Sequence, residues 1–371
     1  MITVVIPTIG RRSLRRVLDA LDADVPTIVV DDRPRFSPAL KVPGHVQVLR
    51  TGGRGPAAAR NAGWRAATTP WVAFLDDDVV PRPGWRDALA ADLADLPGDV
   101  AGSQGRLRVD LPSGRRPTDA ERNTAALAGA AWATADMAYR RSALDRVGGF
   151  DERFPHAYRE DADIALRLLK AGYGLAKGRR VTLHPVRDDG FWASVRAQRG
   201  NADDALMRRL HGAGWRAAVD DVPGRLALHA LTTALGLLAC ALMATGGRGT
   251  RGGSRAHHSL PALGSGAHHA LSAFGSGAHH TPYAFGSGAH HGPSALGSGA
   301  HSPSAFASRR LATLGSAAGL AWLALTAEFA WTRLAPGPRT PEEVLRMAVT
   351  SVIIPPVACV HRLRGELRAR R

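Results

Sequence analysis

Along its first half the chain alternates short apolar runs with segments whose apolar residues fall at helical spacing. Ile2-Thr3-Val4-Val5-Ile6 predicts a buried strand stopped by Pro7, and residues 12–21 put Leu14, Val17, Leu18 and Leu21 on one helical face. Thr27-Ile28-Val29-Val30 predicts a second strand, ending in Asp31-Asp32-Arg33-Pro34. Val46-Gln47-Val48-Leu49 predicts a third, followed by a turn holding Gly52, Gly53 and Gly55 and a helix over residues 56–67. The fourth run, Trp71-Val72-Ala73-Phe74-Leu75, ends abruptly in Asp76-Asp77-Asp78 before Val79-Val80-Pro81. Strand, helix, strand, strand, helix, strand predicts an α/β layer with a mainly parallel sheet. Such sheets bind ligands beyond the carboxyl ends of their strands, where Asp32 and the three-acid cluster both fall.

Further on, residues 86–96 read as an amphipathic helix, 100–109 as a strand and 110–123 as a polar loop. A short helix follows the segment 129–141, and residues 158–169 read as a helix with an acidic first turn, which the helix dipole alone would favour. Residues 187–217 are polar and basic with Phe191, Trp192 and Trp215 interspersed, and fit either a flap beside the site or helices on the domain's edge.

The C-terminal part changes character. Residues 226–245 are almost wholly apolar, with His229 the main exception, and are long enough to cross a bilayer. Residues 311–334 form a second such stretch, interrupted by Glu328 and Arg333. A third, 347–360, contains Pro355-Pro356 and is shorter than an ordinary span; Thr340-Pro341-Glu342-Glu343 before it reads as a helix start with a capping box. Basic flanks favour membrane contact, spanning or interfacial, over a helical bundle packed on the first domain. Between the first two stretches an 11-residue repeat carries His-His at 257–258, 268–269, 279–280 and 290–291. Its Gly-Ser-Gly units and prolines favour a disordered, duplicated insertion over a metal array. The expected division is a catalytic domain at 1–200, a helical region with an apolar stretch at 201–245, the repeats at 246–309, and apolar helices with a basic tail at 310–371.

Composition adds limits. A hydrophobic fraction of 45% is ample for a core, and the net charge of +16 permits an anionic partner. Of 48 basic residues only Lys41, Lys170 and Lys177 are lysine, so the charge follows an Arg-rich composition and proves no partner. No recognition helix or aromatic RNA motif accompanies it, and nucleic acid is not an expected partner. Cys240 and Cys359 lie far apart and form no metal-type pair, which suits a reducing compartment. The immediate strand at Ile2 leaves no room for a leader, so the first domain is expected on the cytoplasmic side of a membrane.

Three adjacent carboxylates repel one another, and at a strand end they suggest a cation between them and something anionic. Gly53-x-Gly55-x-x-Ala58 imitates a dinucleotide fingerprint but arrives after two earlier strands. Asp76-x-Asp78 imitates a haloacid-dehalogenase-type phosphatase nucleophile, yet it stands fourth in line and Lys170 and Lys177 are in the wrong company.

A third pattern accounts for more residues. Val4-Val5-Ile6-Pro7-Thr8, Val29-Val30-Asp31-Asp32, Gly55-Pro56-Ala57-Ala58-Ala59-Arg60-Asn61-Ala62-Gly63 and Phe74-Leu75-Asp76-Asp77-Asp78 occur in that order. Ala135-Asp136-Met137, Gly148-Gly149-Phe150-Asp151-Glu152 and Glu160-Asp161-x-Asp163-x-x-x-Arg167-Leu168 follow. Together they resemble the family 2 inverting glycosyltransferases, whose nucleotide-sugar-binding fold is called GT-A, over residues 1–200.

The resemblance implies a Rossmann-like α/β fold with a mainly parallel sheet, a nucleotide-diphosphate sugar donor and Mg²⁺ or Mn²⁺. It implies that Pro7 and Thr8 border the nucleobase, that Asp32 accepts a hydrogen bond from it, and that Arg60 and Asn61 shape the nucleotide site. Asp76 and Asp78 stand at the family's Asp-x-Asp as metal ligands. Asp77 is their spacer, the least essential of the three, counted together with Asp76 and Glu160 among the donor-binding residues. Asp161 is implied as the general base that takes the acceptor hydroxyl's proton, with Glu160 raising its basicity. Asp136 stands where the family usually has Asn, at the donor site. His184, in Leu183-His184-Pro185, either completes the metal shell or is structural. The acceptor is expected to be a cell-envelope or lipid-linked glycan. A catalytically inactive nucleotide- or carbohydrate-binding module is the alternative, against which the full set of Asp32, Asp78 and Asp161 argues.

Overall fold

The computed structural model describes residues 1–186, 189–251 and 303–370. The His-His repeats lie outside the described residues. In chain order the first elements are β1 (Ile2–Thr8), α1 (Leu14–Asp19), β2 (Thr27–Asp31), β3 (Gln47–Arg50), α2 (Pro56–Ala66) and β4 (Trp71–Leu75). Next come β5 (Val80–Pro81), α3 (Trp85–Ala94), β6 (Val100–Val109), α4 (Asp119–Ala126), β7 (Asp136–Arg140) and α5 (Arg141–Val147). Then α6 (Glu160–Lys170), β8 (Gly174–His184), α7 (Ala193–Arg196) and α8 (Gly200–His211) lead to the long helices α9 (Leu226–Arg251), α10 (Pro303–Leu334) and α11 (Pro341–Ala369).

The strands form one sheet in the order β3-β2-β1-β4-β7-β6-β8-β5. Its first four strands run parallel; β7 enters antiparallel to both β4 and β6, β8 pairs parallel with β6, and the two-residue β5 closes the far edge. The expected mainly parallel α/β fold is therefore present, with a mixed half.

Continuous apolar runs serve because both faces are covered. Along β1, Val5 packs into one core with Val30, Phe74, Trp64 of α2 and Ile164 of α6. Val4 and Ile6 point the other way, onto Leu14 and Val17 of α1 and Leu89 of α3.

Three local expectations need correction. Pro7 does not stop β1, which continues in register with β2 through Thr8. Val4 N–H and Thr8 C=O both bond the β2 side, so Pro7, one residue out of phase with them, turns its missing N–H to the β4 side. Pairing with β4 has already ended there at Val5, and nothing is lost. The loop 110–123 contains the start of α4, capped by Thr118, whose hydroxyl accepts from Glu121 N–H while the Glu121 carboxylate accepts from Thr118 N–H. The third apolar stretch is part of a 29-residue helix that runs through Pro355 and Pro356.

The described chain divides into two compact units, Met1–Leu235 with Ala321–Arg371, and Gly236–Leu320. The first holds the sheet, α1–α8, the start of α9, the end of α10 and α11. Within it α11 packs along α8, so closely that a Cβ on Gly365 would stand 2.5 Å from the Ala202 carbonyl oxygen. In the second, Gly315 of α10 lies against Leu242 of α9. Among the described residues three helices are long and apolar enough to cross a membrane: Leu226–Thr245, Arg309–Leu334 and Pro341–Ala369. Leu237, Leu320 and Leu363 on them are each more than 60% exposed.

Candidate active site

A cavity of about 550 Å³ opens at the carboxyl ends of β1, β2 and β4. Thr8 and Pro7 reach it from β1, Asp32 from beyond β2, and Asp76, Asp77 and Asp78 from beyond β4. The first turns of α2 and α6 bring Arg60, Glu160 and Asp161, and His184 arrives at the end of β8. Residues drawn from six elements and up to 177 positions apart thus share one space, because the parallel strands all end on the same side.

Arg60 is the hub of its deeper part. It is 1% exposed, and its Nη1 lies 2.7 Å from Glu160 Oε1 and its Nη2 2.9 Å from Asp76 Oδ1. Burial alone would lower the guanidinium's pKa, but Glu160 and Asp76 reverse that and hold it above its ordinary value. Glu160 is also raised, through burial, with Arg60 opposing and Asp161 reinforcing the shift. An arginine partner ordinarily depresses a carboxyl; here desolvation outweighs the pairing, and Glu160 Oε2 is buried with no hydrogen-bond partner. Asp161 is raised as well, by burial against the opposing pull of Ala162 N–H, Arg60 and Arg159. The pair therefore holds protons more readily than free carboxyls do.

The three consecutive acids have three different situations. Asp76 is tied to Arg60. Asp77, expected as a spacer, is the most firmly anchored: 1% exposed, it accepts 2.6 Å bonds from Thr8 Oγ1 and from Arg11 Nη1. Asp78 is buried, with Oδ1 4.0 Å from His184 Nε2, and the other ring nitrogen of His184 lies 3.0 Å from Pro185 O. Among the described residues no three His, Cys, Asp or Glu side chains converge into a closed metal site. Asp78 and His184 supply hard oxygen and imidazole donors, a set that suits a divalent cation whose remaining positions a ligand fills.

Asp32 is committed to the backbone. Its Oδ1 accepts from Thr51 Oγ1, Gly53 N–H and Arg54 N–H, and its Oδ2 accepts from Gly55 N–H. It fixes the glycine turn ahead of α2 while still lining the cavity. Gly55 there has φ +96°, and a Cβ would stand 3.0 Å from Pro155 O, so only glycine fits without strain.

Two expected donor-site residues are elsewhere. Asn61, one position past Arg60, faces the core instead of the cavity. It donates to Phe150 O and Glu152 Oε1 and accepts from Phe150 N–H and Trp64 Nε1, joining α2 to the Gly148-Gly149-Phe150 turn. Asp136 lies on β7 with no exposed surface, its Oδ1 2.7 Å from Arg180 Nε and its Oδ2 accepting from Trp85 Nε1. Arg180, equally buried, also binds Asp92 and both the hydroxyl and carbonyl of Ser103. Asp in place of the family's Asn at position 136 is thus matched by a buried cation, not by a ligand.

Arg11 and His156 line the cavity without having been singled out. Arg11 left a faint signal, a base in the loop after a strand that faces acids on its neighbour. His156, in an irregular segment without period, left none.

Residues 3–162 match the model of glycosyl transferase family 2. Over 194 residues the chain is 37% identical to the pre-mycofactocin glycosyltransferase of Mycobacterium tuberculosis, in strain CDC 1551 / Oshkosh and in strain ATCC 25618 / H37Rv alike. The match takes in 46% of this chain and 39% of those relatives, so the chain spans about two-fifths of their length. Among solved structures, S. aureus TarS is similar at 17% identity over 58% of this chain and 41% of that one, with a TM-score of 0.35. The structure of TarS 1-349 in complex with UDP-GlcNAc is similar at 16% identity over 59% of this chain and 69% of that one, with a TM-score of 0.37.

Proposed function

We propose, from the match of residues 3–162 to glycosyl transferase family 2, that the chain transfers a sugar from a nucleotide-diphosphate sugar to an acceptor hydroxyl with inversion. The observation that carries this reading is the gathering of a raised carboxyl pair, a buried arginine and the Asp78–His184 pair around one cavity.

Inversion needs a single displacement. The acceptor oxygen bonds to the anomeric carbon as the bond from that carbon to the diphosphate oxygen breaks, and the acceptor's proton passes to Asp161. The electron pair of the broken bond leaves with the nucleoside diphosphate. Burial that raises Asp161 strengthens it as a base, while Arg60 keeps Glu160 and Asp76 from repelling the donor. Asp78, His184 and, after release from Arg60, Asp76 would hold Mg²⁺ or Mn²⁺, which supplies positive charge for the leaving diphosphate. Thr8 and Pro7 border the far side of the cavity, and Asp32 holds the turn against which the nucleoside rests.

The acceptor is proposed to be membrane-borne, as a lipid-linked or envelope glycan, with the catalytic domain on the cytoplasmic side. The three long apolar helices among the described residues support the membrane association.

The direct test is a screen of nucleotide sugars for binding and slow hydrolysis with and without Mn²⁺, with Asp78→Ala beside the unaltered chain. Metal-dependent binding that Asp78→Ala abolishes is the expected result. No metal-dependent binding of any nucleotide sugar would remove the enzyme reading.

A further inference from the structure

Beside the donor cavity lies a second of about 230 Å³, and beyond it a third of about 520 Å³. His184 and Leu127 line both the first and the second. Asp119, Asn123, Ser194 and Ala197 line both the second and the third. Sharing these walls, the three adjoin in a groove-like row that leads from Asp78's neighbour His184, past α4 and Ala197, to Leu226 at the start of α9 and Phe329 near the end of α10. It thus runs from the reacting centre to the near ends of the helices that are apolar enough to enter a membrane.

Its electrostatics limit what can occupy it. Four arginines line the outer cavity, and each already faces a carboxylate. Arg159 is 2.8 Å from Asp204 and 3.0 Å from Asp221, Arg216 binds the same two acids, Arg333 is 2.8 Å from Asp119, and Arg225 binds Glu328. An anionic headgroup would have to break one of these pairs to gain a cation. What remains on offer is neutral and polar: Asn123, the His229 ring, and the Tyr158 and Ser194 hydroxyls, which accept from Arg159 and Arg333 and keep an O–H to donate, beside the mutually bonded Gln198 and Asn201. His229 is 92% buried on α9, meets Phe329 edge-on at 4.8 Å, and opens onto the cavity without a side-chain hydrogen bond among the described residues. A buried polar group in that state is matched by a ligand's hydroxyl or amide.

We infer that this groove is the acceptor subsite and that it takes an uncharged amphiphile, a polyhydroxylated head on an apolar tail, in preference to a lipid phosphate. The inference rests on the glycosyltransferase reading for the reaction but not for the binding. The head would lie along Asn123 and Ala197 with a hydroxyl directed toward Asp161, and the tail would leave past Leu226 and Phe329.

The test uses the full chain in phosphatidylcholine nanodiscs, titrated calorimetrically with n-hexyl β-D-glucopyranoside and, separately, with n-hexyl phosphate. Asn123 and Ala197 are both solvent-exposed and tolerate bulk, so Asn123→Trp and Ala197→Trp should fill the groove without unfolding the protein, which thermal melting verifies. The glucoside is expected to bind the unaltered chain, and each variant to bind it at least about tenfold more weakly, with metal-dependent donor binding unchanged. Failure of the glucoside to bind, variants that melt normally and bind as the parent does, or tighter binding of the phosphate would each overturn the inference. Loss of donor binding in the unaltered chain is the separate failure of the glycosyltransferase reading, and the glucoside titration still decides the groove.

Discussion

Asp77 accepts a 2.6 Å hydrogen bond from the Thr8 hydroxyl, and this single contact ties the end of β4 to the end of β1 under the floor of the cavity. Arg11 closes the same carboxylate from the solvent side at 2.6 Å. Position 77 is the unremarkable middle of an Asp-x-Asp pattern in sequence, but it sets the height at which Asp76 and Asp78 enter the site. Asp77→Ala is expected to lower stability by about 1–3 kcal/mol, the range for a buried charged hydrogen-bonding group. Donor binding should weaken with it. Urea unfolding and a donor titration on the same preparation check both; an unchanged midpoint with normal binding would return Asp77 to the role of spacer.

The Asp136–Arg180 pair gives a second test. Breaking a buried pair leaves a charge stranded, so Arg180→Met is expected to cost about 3–5 kcal/mol. Adding Asp136→Asn should restore part of that loss, because the stranded carboxylate is removed, and the coupling should exceed about 1 kcal/mol in a double-mutant cycle. Additive effects would contradict the pairing. A specific loss of donor affinity in Asp136→Asn, with stability intact, would instead place Asp136 at the donor.

For catalysis the sign of the pH response follows from Asp161. A base works only when ionised, and burial has raised the pKa of this carboxyl. As pH falls, transfer is expected to fail earlier than it would with an ordinary aspartate of pKa about 3.9. Above that limb activity is fully present, and Asp161→Asn should lower turnover by about 10²–10⁴-fold and abolish the limb while sparing donor binding. Rates measured across pH on both forms decide it. A limb that persists in Asp161→Asn would move the base to Glu160, whose pKa burial also raises.

Membrane attachment is expected to survive high salt and carbonate and to yield only to detergent, since the exposed surface of the long helices is apolar and not merely basic. Fractionation followed by salt, carbonate and detergent washes distinguishes the cases. Release by salt alone would mean surface attraction to anionic lipid.

Much of this could be read from residue order alone. The parallel strands announced themselves because both faces of the sheet are covered, which leaves unbroken runs such as those of β1, β2 and β4. The acids at their ends then fell together for geometric reasons. What the pattern did not carry was direction. Arg60 and Asn61 are neighbours in one motif, yet on a helix they point about 100° apart, and only Arg60 reaches the cavity. Asp136 needed a partner 44 positions away to be understood, since nothing local marks Arg180 as its counter-charge. The start of α4 was legible in Thr118-x-x-Glu121 but was masked by the prolines and glycine before it. Pro355-Pro356 suggested a short stretch; a helix that begins at a well-capped Pro341 has the length to absorb them.

The contact between Gly365 and Ala202 has a practical corollary. Helix α8, which α11 meets there, also touches the helix of Asp161: His211 Nε2 lies 2.8 Å from Asp163 Oδ1, and Met207 shares an apolar cluster with Ala162 and Leu166. The candidate anchor and the candidate base are therefore consecutive courses of the same masonry. Cutting the gene before position 341 to obtain a soluble enzyme would strip the backing from the helix that presents the candidate base, and a usable soluble form has to come from repainting the outer faces of the long helices instead.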